Sequence, residues 1–210
     1  MTEDGGEGHR ASSEPVSSGD ILGALRFVAG TLAAGIVAGA IGGAGARLAM
    51  WLVKLGNGSY NGQVTHDGYE VGRLTLEGFM NLVGSTAFFY GIPIAFLYFF
   101  VQWWLPGRGW QKGAWFGAWL LAWSVPLVID VGNYEYYRYA NPLRGFALFA
   151  ALIPFTTISL AFLADRWGGG SQAMVQSVVV RWSGRAVLIA IAAIGVTSEI
   201  ETFRSVAHAF

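Results

Sequence analysis

Residues 29–51 read AGTLAAGIVAGAIGGAGARLAMW, a glycine-rich run closed by one arginine, and its reading decides between a nucleotide-binding loop and a helix in lipid. A dinucleotide fingerprint needs glycines at n, n+2 and n+5. Gly43 and Gly45 supply the first two, but Leu48 stands at the third, and no glycine-lysine-hydroxyl triplet follows to make a Walker loop. Spacing by four does fit. Gly35, Gly39 and Gly43 form one row, and Gly30, Ala34, Ala38, Gly42 and Ala46 form the adjacent one. Residues four apart share a helix face, so these rows give a smooth side on which another backbone can come close. The pattern predicts helix packing through Gly35, Gly39, Gly43 and Gly42, and it suits a helix of the same chain or of a second copy equally.

Composition points the same way. Of 210 residues 54% are hydrophobic and only 12% charged, about half the charged share of an ordinary soluble domain. Charges cluster, leaving uncharged intervals at 27–46, 78–107, 113–129, 145–164 and 186–198. A bilayer core takes roughly 20 apolar helical residues; three of these intervals reach that length alone and two need their flanks. Thirteen basic residues balance thirteen acidic ones, so no net field points to nucleic acid. The chain has no cysteine, which removes disulfides, thiolate metal sites and thiol nucleophiles.

The expected fold is therefore an all-α, multi-pass transmembrane bundle of five helices, with four as the alternative. Residues 1–20 hold five acids against Arg10 and no aromatic, which predicts a disordered acidic tail. A single helical domain then occupies 21–205, with helices at about 21–53, 74–105, 112–131, 143–165 and 185–204 and Asp20 as the first N-cap. Residues 55–73 form an extramembrane loop in which Asp67-Gly68 suits the type I′ turn of a small hairpin. With the N-terminus inside, the inner flanks carry seven of the thirteen lysines and arginines, which predicts a cytoplasmic N-terminus in a cell membrane. Trp103, Trp104, Trp110, Trp167 and Trp182 fall at one membrane edge, and Trp51, Tyr134, Tyr136, Tyr137 and Tyr139 at the other. Both sets read as interfacial belts.

Crossing parity yields the most informative constellation. It brings the end of helix one, the start of two, the end of three, the start of four and the end of five to one membrane face. There stand Arg47, Glu77, Asn81, Asp130, Asn133, Arg144 and Glu199. Ionisable groups at bilayer depth face protein or water and pair with one another. This set reads either as a polar vestibule, with arginines for an anionic group and Glu77 or Asp130 for proton exchange, or as helix-end ion pairs, Arg47 with Glu77 and Asp130 with Arg144.

Other features carry less chemistry. Pro93, Pro126 and Pro154 each remove a backbone donor and free the carbonyls of Phe89, Ala122 and Ala150, which kinks a helix or lines a substrate path. Trp115, Trp119 and Trp123 make a stripe suited to lipid or helix packing. His9, His66 and His208 lie in a tail, a loop and the chain end, so no metal site and no cofactor are expected. No esterase elbow and no zinc-protease motif occurs, and no catalytic residue is assigned.

The stretches GAIGGAGARLAMWLV, HDGYEVGRLTLEGF, WLPGRGWQKGAWFG and VIDVGNYEYYRYANPLRG resemble a group of uncharacterised multi-pass bacterial integral membrane proteins over roughly residues 30–165. The resemblance implies a membrane fold and no particular activity. The expected function is a non-enzymatic packing protein, an accessory subunit or homo-oligomer, whose partners are the bilayer and a second copy or another membrane protein. The alternative is a small transporter or channel with the polar face as vestibule.

Overall fold

The computed structural model describes residues 18–55, 75–128, 142–168 and 178–208. The described residues are helical, with no strand among them. Helix α1 spans Ser18–Leu55. Next come α2 (Leu76–Ser85), a π-helical segment (Thr86–Gly91) and α3 (Ile92–Val101), which run on as one rod. Helices α4 (Trp110–Val128), α5 (Pro142–Trp167) and α6 (Val178–His208) complete the bundle. Three stretches are long and apolar enough to cross a membrane, Leu25–Val53, Leu76–Val101 and Ala147–Trp167. The acidic tail up to Ser17, the hairpin around Asp67-Gly68 and the tyrosine-rich link at 134–139 lie outside the described residues.

Helix α1 is the central post. It packs along the α2–π–α3 rod on one side and α5 on the other, α5 packs on α4, and α4 carries α6. The small residues explain both contacts of α1. A methyl carbon added at Gly39 would stand 2.6 Å from the carbonyl oxygen of Thr86 and 2.9 Å from the Cα atoms of Ala87 and Gly91. At Gly35 it would collide with Ala95 and the Gly91 carbonyl, and at Gly43 with the Thr86 hydroxyl. The second row turns to α5: Gly30 abuts the backbone at Trp167 and Gly168, while Gly42 meets Thr156 Oγ1 at 2.7 Å from its missing methyl. Ala34 and Ala38 are buried in the main core. Both rows are thus taken up by helices of the same chain.

The rod's π-helical turn lies where α1 presses on it, one residue before the helix that carries Pro93. Three threonine hydroxyls in the spans are satisfied along their own helices. Thr86 donates to the carbonyls of Leu82 and Val83 (2.7 and 3.2 Å), Thr31 to Phe27 (2.9 Å) and Thr157 to Ile153 (3.0 Å). Such back-bonding removes the penalty of a bare hydroxyl in lipid. At Pro154 the kink is filled by a neighbour, since Gly117 brings α4 onto the proline ring. The carbonyl of Ala122, which Pro126 releases, is pressed against Gly195 of α6.

Two expected boundaries move. The rod ends at Val101 rather than Leu105, because Gln102–Leu105 turn toward α4, with the Trp104 N–H donating to the Val101 carbonyl at 2.9 Å. The turn continues through Gly107 and Gly109, whose φ values of +89° and +53° suit glycine alone. At the far end α6 starts at Val178 rather than about 185, so VVVRW belongs to the helix. Trp103 and Trp104 are also less interfacial than their sequence position implies. Trp103 packs on Phe27 with ring centroids 5.9 Å apart, and Trp104 covers Gly184. Trp115 is exposed, whereas Trp119 and Trp123 join the core, with Trp119 Nε1 donating to the Leu188 carbonyl at 2.9 Å.

Gly39→Leu is expected to lower the unfolding free energy of the protein in mild detergent, by about 1–3 kcal/mol if the backbones can yield and by more if they cannot. Because the contact is internal, the loss should not vary with protein concentration, as measured by thermal unfolding over a dilution series.

Candidate functional site

Beyond Gly43, residues of α1 and of the start of α2 line a cleft of about 570 Å³. Its walls are Ala44, Arg47, Leu48 and Trp51 of α1 and Thr75, Leu76 and Phe79 at the start of α2. The α1 residues recur at three- and four-residue steps, so they lie on one helix face. Thr75 is the N-cap of α2 and its hydroxyl accepts the Gly78 N–H at 3.2 Å. With that bond made, Arg47 is the one charged residue among the described walls of the cleft, and apart from Thr75 the others are aliphatic or aromatic.

Arg47 is held from below by a glycine. Its Nη2 lies where a side chain at residue 78 would begin, so Gly78 makes room for the guanidinium. Nη1 donates to Met50 Sδ at 3.9 Å, a weak acceptor. Nε is buried without a hydrogen-bond partner. Among the described residues three other buried polar side-chain atoms share that condition, Tyr98 Oη, Trp104 Nε1 and Trp123 Nε1, and none of those belongs to a cation. Arg185, at the opposite face of the helical bundle, is the useful contrast. Its Nε donates to the Trp104 carbonyl at 2.9 Å and its guanidinium lies 5.2 Å from the Trp182 ring centre. Asp165 at that face accepts the Gly109 N–H at 2.9 Å, which ties the α3–α4 turn to α5.

Of the other residues of the expected vestibule, Glu77 and Asn81 have described side chains, and neither closes around Arg47. Glu77 and Asn81 are exposed on α2, and no ion pair joins Arg47 to Glu77. Glu77 occupies the first turn of α2, where a negative charge suits the helix dipole. Asp130 and Asn133 lie outside the described residues. Arg144 falls in the first turn of α5 and Glu199 near the C-terminal end of α6, both placed by their backbone alone. Trp51, Thr75 and Phe79 were not singled out by the sequence reading as a site. The signals for them were present: Trp51 stands four residues after Arg47, Phe79 four after Thr75, and Thr75 precedes a helical run with an early acid.

No known protein family matches the chain, and neither does any curated protein or solved structure.

If Glu77 serves only the helix dipole, Glu77→Gln should lower stability by at most about 1 kcal/mol. Loss of a partner to a desolvated Arg47 would instead cost about 3–5 kcal/mol. Detergent-solubilised unfolding of the variant against the wild type distinguishes the two.

Proposed function

We propose that the chain is a non-enzymatic, multi-pass integral membrane protein that binds an anionic group in the cleft between α1 and α2. In this reading all five helices cross a cell membrane, the N-terminus is cytoplasmic, and the cleft opens at the opposite face. The observation that carries the proposal is Arg47: a guanidinium with a buried, unpartnered Nε, at the wall of an open cavity, with no carboxylate bonded to it among the described residues. A phosphate or carboxylate supplies the acceptors that such a fork lacks.

A second reading, an accessory subunit or homo-oligomer, is favoured by α6. That helix packs chiefly on α4 and leaves Val187, Ile189, Ile191, Ile194 and Val196 exposed. Since both small-residue rows of α1 are occupied within the chain, association would use α6 rather than the glycine face. The transporter reading needs a path through the bundle in addition to the cleft, and tight backbone contacts along α1 fill the region next to it.

The test is a thermal unfolding series in neutral detergent at constant ionic strength. Monoalkyl phosphate or carboxylate is expected to raise the melting midpoint of the wild type saturably, by a few degrees at a hundredfold excess over Kd. An alkyl glycoside of the same chain length should not. Arg47→Gln should abolish the shift, and a shift that persists unchanged in the variant would sink the proposal.

A further inference from the structure

We infer that the occupant of the cleft is an anionic phospholipid drawn from the bilayer, its headgroup on Arg47 and an acyl chain along the apolar wall. The inference rests on the anion-binding reading and names the class of ligand for that same site.

Depth is the first argument. The apolar stretch of α1 ends at Val53, six residues after Arg47, and that of the rod begins at Leu76, on the cleft's other wall. At about 1.5 Å per residue, Arg47 stands roughly 9 Å inside the end of its span. That is the level of lipid headgroups and the first acyl carbons, so a lipid reaches the guanidinium without leaving the membrane. A small hydrated anion has to shed water to arrive there.

The composition of the walls is the second. Ala44, Leu48, Leu76 and Phe79 offer an acyl chain a surface, and Trp51 is a residue type that settles at the interface. Among the charged or polar wall residues, Arg47 lacks a good acceptor while Thr75 is already bonded to Gly78. A site for a small polar solute would carry several converging polar groups. Among its described walls this one carries a single cation over an apolar face, the pattern that suits an amphiphile with one negative end. The cavity, at about 570 Å³, takes a headgroup and the upper part of one chain and leaves the rest in the bilayer.

Third, Gly78 leaves the space that the guanidinium occupies. Any side chain there would collide with Arg47 Nη2, so Gly78→Ala perturbs the cation without removing it.

The experiment uses the full chain in neutral detergent, with lipid retention read by native mass spectrometry and stability by thermal unfolding. Phosphatidylglycerol, phosphatidylcholine with the same chains, and inorganic phosphate are added separately. Phosphatidylglycerol is expected to bind with one molecule retained per chain and to raise the melting midpoint, and phosphatidylcholine to bind at least tenfold more weakly. Arg47→Gln should weaken phosphatidylglycerol by about 10- to 100-fold, the loss of a charge-assisted hydrogen bond. Phe79→Ala, which keeps the charge and removes part of the apolar wall, should weaken the lipid and leave any response to inorganic phosphate unchanged. This variant also serves if Arg47→Gln does not fold. Equal binding of the two lipids, or unchanged phosphatidylglycerol binding in both variants, overturns the inference. Inorganic phosphate protecting as well as the lipid would keep the anion site and discard the lipid. Protection by none of the three would remove both.

Discussion

The approach of α1 to the π-helical turn at Thr86–Gly91 sets the rest of the structure. Gly35, Gly39 and Gly43 bring two backbones so near that no Cβ fits between them, and Gly91 answers from the other side. In lipid, helices gain no hydrophobic energy by meeting, so close packing has to supply the attraction. Once the rod is seated on one row of α1, the adjacent row faces α5. Helix α5 in turn positions α4, and α4 carries α6. Beyond the last glycine of the row that meets the rod lies the cleft with Arg47 in its wall.

The interior inverts the habit of a soluble protein. Its centre holds Ala34, Ala38, Ala95 and Ala161 around a few large groups such as Tyr98 and Phe116, whose rings meet at 5.3 Å. Phe88, Phe89, Phe96, Phe100, Ile189 and Ile194 stand outside. Such an apolar exterior would be an aggregation surface in water, while in a bilayer it is the solvated face.

Much of this architecture was legible in the sequence, and for a physical reason. A four-residue spacing of glycine and alanine maps directly onto a helix face, so both rows of α1 could be drawn before any coordinates. Which row would meet which helix could not, since spacing fixes a face and not its neighbour. Pro93 signalled a break in the second span, but the extra residue of the π turn sits upstream, where it relieves the contact with Gly39 and Gly43. Parity placed Arg47 and Glu77 on one membrane face, yet sharing a face is not touching. Glu77 is exposed in the first turn of α2, and no ion pair joins it to the guanidinium. The cleft itself was missed because its walls come from two helices whose separation no single-helix pattern encodes.

The use of both rows of α1 bears on how the chain is made. Helix α1 is synthesised first, but α5, which covers the second row, is complete only about 110 residues later. At 5–20 residues per second that interval is roughly 5–20 s. For that time a face of glycines and alanines stands in lipid with its final neighbour not yet made. A small-residue face is the kind to which another passing helix adheres, so the order of synthesis makes the nascent chain most open to wrong partners before α5 arrives.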